Sequence, residues 1–192
     1  MARIEKDFLG EKELPDSAYY GVQTLRGKEN FHITGIPMSA EPYFVKAFGY
    51  VKKAAALANR DLGVLDARVA DAIVGACDRL IAGEMCDQFV TDFIQGGAGT
   101  STNMNANEVI ANLALESLGH KKGEYQFVSP NDHVNFGQST NDIYPTAFRL
   151  ALILRLASYM DALRRLQDAF YAKGKEFGRV LKEGLGEDFA NK

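Results

Sequence analysis

From Ser39 onward apolar residues return at helical intervals. Phe44, Phe48, Val51, Ala55, Ala58 and Leu62 recur three or four apart, which predicts one long amphipathic helix with Gly63 as its stop. A second helix is predicted from a cap at Asp66, with Val69, Ile73, Cys77 and Leu80 on one face and Gly83 at its end. A third pattern runs through Ala106, Ile110 and Leu113 towards Gly119, after a polar, Gly-rich stretch from about Met85 to Asn103. The fourth and longest carries Leu152, Leu156, Tyr159, Leu163, Leu166, Phe170 and Phe177 at nearly heptad spacing. A seam of that length asks for other helices to pack against, supplied by other protomers or by a further segment. Ahead of all four, residues 1–38 read as an irregular or weakly β arm, punctuated by Gly10, Pro15, Gly21, Gly27, Gly35 and Pro37. The expected fold class is therefore mainly α, with bundle packing.

Composition narrows the function without naming it. The chain has 192 residues, 46% hydrophobic and 24% charged, enough to bury a sizeable core in one or two domains. A net charge of -3 without a polybasic run argues against nucleic acid and anionic membranes as partners. Cys77 and Cys86 are too few for a disulfide framework and lack zinc-site spacing, so a reduced, cytoplasmic compartment is expected, with Cys77 in the core. Residues 1–10 mix charges with single apolar residues and contain no signal-peptide core, and no stretch approaches a membrane span. The Asp, Glu and His spacing suggests no metal site.

Chemistry concentrates in two polar stretches, each running into a helix. The first is Gln95-Gly96-Gly97-Ala98-Gly99-Thr100-Ser101-Thr102-Asn103-Met104-Asn105. Its glycines permit close backbone approach to a ligand, and the helix start adds unpaired N–H groups at the positive end of the dipole. Thr100, Ser101, Thr102 and Asn103 add side-chain donors suited to a carboxylate; for any one of them, local chemistry alone reads capping of the helix first, and one can cap while its neighbours bind. The second stretch, Ser129 to Asp142, again gathers Ser139, Thr140 and Asn141 before a helix, with Pro145 placed for its first turn. Two such starts suit a substrate with two carboxylates. Neither carries the ending of a phosphate-binding P-loop nor a Gly-x-Gly-x-x-Gly after a strand, which disfavours nucleotides. His133 is the only histidine within either stretch and is read first as structural, with Asp132 and nearby asparagines satisfying its ring; acid-base duty is the alternative. His32 and His120 are read as surface residues.

At these two stretches the sequence resembles the aspartase/class II fumarase superfamily. The resemblance is carried by Gly97-Ala98-Gly99-Thr100-Ser101-Thr102-Asn103-Met104-Asn105-Ala106-Asn107-Glu108, by Pro130-Asn131-Asp132-His133-Val134-Asn135 and by Gln138-Ser139-Thr140-Asn141-Asp142, and it extends from about Ile4 to Lys182. The segments Ala18 to Arg26, Val51 to Ala56 and Lys122 to Tyr125 look more like the aspartase branch than the fumarase branch, which stays as the alternative. The resemblance implies an N-terminal lyase domain over 1–138, with the short arm, leading into the first long helix of a truncated central helical bundle over 139–192. It implies a cofactor-free lyase that removes ammonia from L-aspartate to give fumarate by anti elimination. Thr100, Ser139, Thr140 and Asn141 would contact substrate, with Ser101, Asn103 and His133 in support. It also implies a homotetramer whose active sites draw segments from three protomers.

The pattern departs from the family after Lys182, where Glu183-Gly184-Leu185-Gly186-Glu187-Asp188 replaces the usual Gly-Arg-Thr motif. Ser129 also stands where fumarases carry a histidine of a second acid site, so that site is not carried over. The serine base of the family falls in a later segment, and no catalytic residue is assigned in this chain. The expectation is a fragment, a truncated product or a frameshifted copy, able to bind and unable to turn over; an inactive structural or binding member of the fold is the remaining alternative.

Overall fold

A computed structural model describes residues 2–180, in two compact units, one through Leu154 and one from Arg155. The first unit opens with an antiparallel hairpin, β1 (Ala2–Asp7) against β2 (Gly10–Pro15), pairing Asp7 with Gly10 across Phe8 and Leu9. Alternation puts Glu5 and Leu14 inside. The Arg3 guanidinium donates to Glu5 Oε1 at 2.8 Å and to the carbonyls of Ala18 and Tyr20 at 2.6 and 2.7 Å, tying the hairpin to the segment after it.

Beyond the hairpin, residues 16–21 and 31–36 are irregular as expected, but the stretch between them is not. Val22–Asn30 forms a helix, α1, although its sequence carries only Val22 and Leu25 as large apolar residues. Periodicity gave no sign of it because its start is held by tertiary contacts. Glu108 accepts N–H bonds from Gly21, Gln23 and Thr24 at 2.8, 3.0 and 3.0 Å, and Glu5 accepts from Val22 at 2.9 Å.

Helix α2 (Pro42–Asp61) begins later than expected, with Pro42 in its first turn after a short 3-10 turn at Met38–Ala40. Its buried stripe is Phe44, Val45, Phe48, Lys52 and Ala56. The predicted face is wrong in its second half: Ala58 lies outside the buried stripe and Leu62 is 75% exposed. A lysine occupying a core position hid the true stripe. Helix α3 (Ala67–Ile81) follows the prediction. Asp66 accepts from the N–H groups of Arg68 and Val69, and Ile73, Cys77 and Leu80 are buried. The predicted stops at Gly63, Gly83 and Gly119 all take positive φ, and each helix closes with a paired return. Val64 and Gly63 donate to Asn59 and Arg60, Glu84 and Gly83 to Arg79 and Leu80, and His120 and Gly119 to Leu115 and Glu116.

Helix α4 (Thr100–Ser117) takes in the polar run assigned to a loop and is buried at every position from Thr102 to Leu115. It is the central helix of the unit, packing on α1 and α3. A π-helical turn at Pro130–Val134 rests against it and leads to α5 (Thr140–Glu176). Pro145 lies in the second turn of α5, not the first, because the helix already starts at Thr140; it leaves the Asn141 carbonyl without its i+4 donor. Along α5 the predicted seam is exposed: Leu156 50%, Leu163 39%, Leu166 53% and Phe170 70%. Among the described residues no helix is long and apolar enough to cross a membrane. Residues 183–188 lie outside the described residues.

Candidate binding site

The two polar stretches become the N-termini of α4 and α5, and the fold sets them side by side. A Cβ added to Gly99, the residue before α4, would collide with the ring of Tyr144 in the first turns of α5. Gly99 also sits at φ +76°, a conformation that favours glycine, so backbone shape and close approach coincide there.

No hydroxyl caps α4. Gln95 does so from the loop: its Oε1 accepts the Thr102 N–H at 3.1 Å and its Nε2 donates to Thr102 Oγ1. Thr102 is buried and also meets Thr91 Oγ1 at 3.3 Å, so its hydroxyl serves the fold. Asn103 is buried as well, its Nδ2 donating to Asn135 Oδ1 at 3.0 Å. Thr100 remains exposed and Ser101 half-buried; their N–H groups have no partner among the described residues. These are the groups through which the positive end of a helix dipole meets an anion.

At α5 the hydroxyl of Ser139 accepts the Asn141 N–H at 3.2 Å, which makes Ser139 the cap. The side chains of Thr140 and Asn141 have no partner among the described residues, and Asn141 is exposed. Before them, Ser129 organises the π turn. Its N–H donates to His133 Nδ1 at 2.9 Å, and its hydroxyl donates to Asp132 at 2.9 Å while accepting the Asp132 N–H at 3.0 Å. His133 is therefore oriented by the Ser129 backbone, not by Asp132 or the asparagines; Nδ1 accepts and the ring proton is left to Nε2. His120, read as a surface ring, is stacked on Phe127 with centroids 3.8 Å apart.

Three residues to which the sequence pattern assigned no role hold the site together. Lys52 is wholly buried, its Nζ donating to Asn135 Oδ1 at 2.9 Å and to Gln138 Oε1 at 2.8 Å. Burial lowers its pKa to about 7, against the influence of Cys77, whose own thiol burial pushes up to about 12. Asn135 also accepts from Asn103 and, at 3.3 Å, from Asn107, both on α4. Glu108 is the third, and burial raises it to about 6 although the Thr24 and Gln23 donors pull it down. The signal for Lys52 was its place four residues after Phe48; for Glu108 it was an acid amid Ala106, Val109 and Ile110.

Beside the α4 start, a cleft of about 800 Å³ is lined by Gln23, Arg26, Ser101 and Asn131 among others. Arg26 is held at its edge by a two-point pairing with Asp7 at 2.8 and 2.9 Å, which holds Asp7 below its ordinary value. Among the described residues no cluster of His, Cys, Asp or Glu is arranged to hold a metal ion.

A family model described as Lyase matches residues 10–185. The aspartate ammonia-lyase of Helicobacter pylori is 58% identical over 182 residues, and that of Escherichia coli K12 is 53% identical over 183. Each alignment covers 95% of this chain, which spans 39% and 38% of those relatives. Among solved structures, one titled fumarate lyase:delta crystallin from Brucella melitensis superposes with a TM-score of 0.90 at 55% identity, covering 96% of this chain and 43% of that one. A class II fumarase from Schistosoma mansoni superposes with a TM-score of 0.84 at 37% identity, covering 96% and 39%.

Proposed function

From the premise that this chain belongs to the Lyase family, we propose that it supplies the two carboxylate-binding helix starts of an aspartate ammonia-lyase. The observation that carries the reading is the pairing of those starts, with the Thr100 and Ser101 N–H groups and the Thr140 and Asn141 side chains left without partners among the described residues. Thr100, Ser139, Thr140 and Asn141 are the proposed substrate contacts; Ser101, Asn103 and His133 stand behind them. Ser139 serves by setting the α5 start and Asn103 by bracing Asn135, while Thr100 and Asn141 reach the ligand.

The reaction removes the proton from the carbon next to one carboxylate of aspartate. Its electron pair moves into that carboxylate, giving a doubly charged aci-acid, and ammonia then leaves from the adjacent carbon to give fumarate. Extra negative charge on one carboxylate is the energetic obstacle, and preaimed N–H groups and hydroxyls lower it by several kcal/mol in such sites, roughly. No base is assigned among the described residues. The base belongs, by this reading, to another segment, and the complete enzyme is a cytoplasmic homotetramer whose domain division falls between residues 138 and 139.

Titrating the chain with fumarate while following amide resonances tests the binding half of the reading. Shifts confined to Thr100–Asn103 and Ser139–Asp142 are expected; no saturable shift in either overturns it. Incubation with aspartate, and separately malate, with fumarate absorbance as the readout, tests the rest: no turnover by the chain alone is expected. Fumarate from malate would instead favour the hydratase reading that the Schistosoma mansoni similarity keeps in view.

A further inference from the structure

We infer that Lys52 is the positioning residue that sets the two helix starts in register, one ammonium group bracing the turn before α5 against α4. The inference rests on those starts being the ligand-binding elements. Lys52 projects from α2, a helix that carries none of the proposed contacts, and its side chain is completely buried. Its two acceptors are neutral amides, Asn135 and Gln138, and no carboxylate is among its hydrogen-bond partners in the described residues. An ammonium buried without a carboxylate is costly, and a plain apolar side chain in the same stripe would pack at no such cost.

Both acceptors lie in the turn that delivers Ser139, Thr140 and Asn141. Asn135 Nδ2 donates to the Gln138 carbonyl at 3.1 Å and Gln138 Nε2 to the Val134 carbonyl at 2.8 Å, so the side chains that Lys52 holds also shape the backbone one residue before the α5 cap. From the other side, Asn103 and Asn107 of α4 donate to the same Asn135 oxygen. Their own carbonyl oxygens are buried without a partner, so α4 commits its amide donors to this junction. Among the described residues Lys52 makes the shortest contact to the Asn135 oxygen, 2.9 Å against 3.0 and 3.3 Å for the two α4 amides, and it alone links that oxygen to Gln138. Removing it leaves the Gln138 amide oxygen without a donor and Asn135 tied through its oxygen to α4 alone, so the turn before Ser139 loses its brace.

The test compares the whole chain with its Lys52→Met variant by amide hydrogen exchange and by fumarate titration. Exchange at Val134–Ser139 is expected to rise about tenfold or more, with α3 unchanged, and fumarate affinity to fall by a similar factor. Unchanged exchange in that turn, or faster exchange with fumarate affinity intact, overturns the inference; the second result would leave Lys52 a purely structural residue. Should the wild-type chain fail to bind fumarate, the functional reading fails separately and the exchange comparison still decides whether Lys52 braces the turn. If Lys52→Met does not fold, Gln138→Glu gives the Lys52 amine a carboxylate partner while removing the amide donor to Val134: exchange around Asn135 that stays the same or slows supports the brace, and faster exchange overturns it by placing the hold in the Gln138–Val134 bond.

Discussion

Glu108 accepts three backbone N–H groups while almost wholly excluded from water, so its charge is set by a contest between burial and donors. Burial wins and raises it from 4.5 to about 6. The folded chain therefore binds more protons than the unfolded one between those values, and Glu108 contributes stability that is present below 4.5 and lost as pH rises through about 6. The advantage of wild type over Glu108→Gln should shrink by about 2 kcal/mol between pH 4.5 and 7, measured by urea unfolding. A difference that grows with pH would show that the donors outweigh burial. Asp92 runs the other way. Burial pushes it up, but the Ile94 N–H, the Thr34 hydroxyl and the N–H groups of Gly35 and Thr34 outweigh that and hold it well below the carboxylate range, so its contribution is lost as pH falls. At the ligand contacts, Thr100→Val and Asn141→Ala should each weaken fumarate binding about tenfold, the worth of one hydrogen bond to a charged group. The thermal midpoint should stay unchanged, because neither side chain has a partner among the described residues.

At the scale of elements, α1 is the informative case. It has nine residues, two large apolar side chains, and a start held by carboxylates distant in sequence. A peptide of residues 22–30 should show no helical circular dichroism at neutral pH, since a helix that short does not form alone in water; helical signal there would mean that propensity, not Glu108 and Glu5, builds it. The junction of α4 with α5 makes the complementary case. Gly99→Ala would place a methyl group against the Tyr144 ring at a backbone conformation unfavourable to alanine, and the expected loss of stability is about 2 kcal/mol or more in denaturant unfolding. Near-neutral behaviour would mean that the two helix starts do not abut as described.

For the molecule as a whole, the exposed apolar seam of α5 bears on association. Leu163, Leu166, Phe170 and Tyr171 lie along it, and all four are exposed. Apolar area of that kind is seldom left to water. Sedimentation of the chain should show association that grows with concentration, and Leu163→Glu with Phe170→Glu should shift it towards monomer; identical profiles would place association elsewhere.

Features governed by near neighbours were legible along the chain: the cap at Asp66, the glycine stops at 63, 83 and 119, the apolar face of α3, the hydrophobic seam of α5 and the polar character of the two helix starts. Each comes from local backbone sterics or from a repeat of three to four residues, which needs no partner elsewhere in the chain. Tertiary structure decided the rest: that 22–30 is helical, that Thr102 and Asn103 turn inward while Thr100 stays open, that Ser139 caps, and that Lys52 and Glu108 are core residues. The burial of those two charges depends on hydrogen bonds across 83 to 87 positions of sequence. A buried charge is stable only where distant donors or acceptors meet it, and no local pattern encodes that meeting.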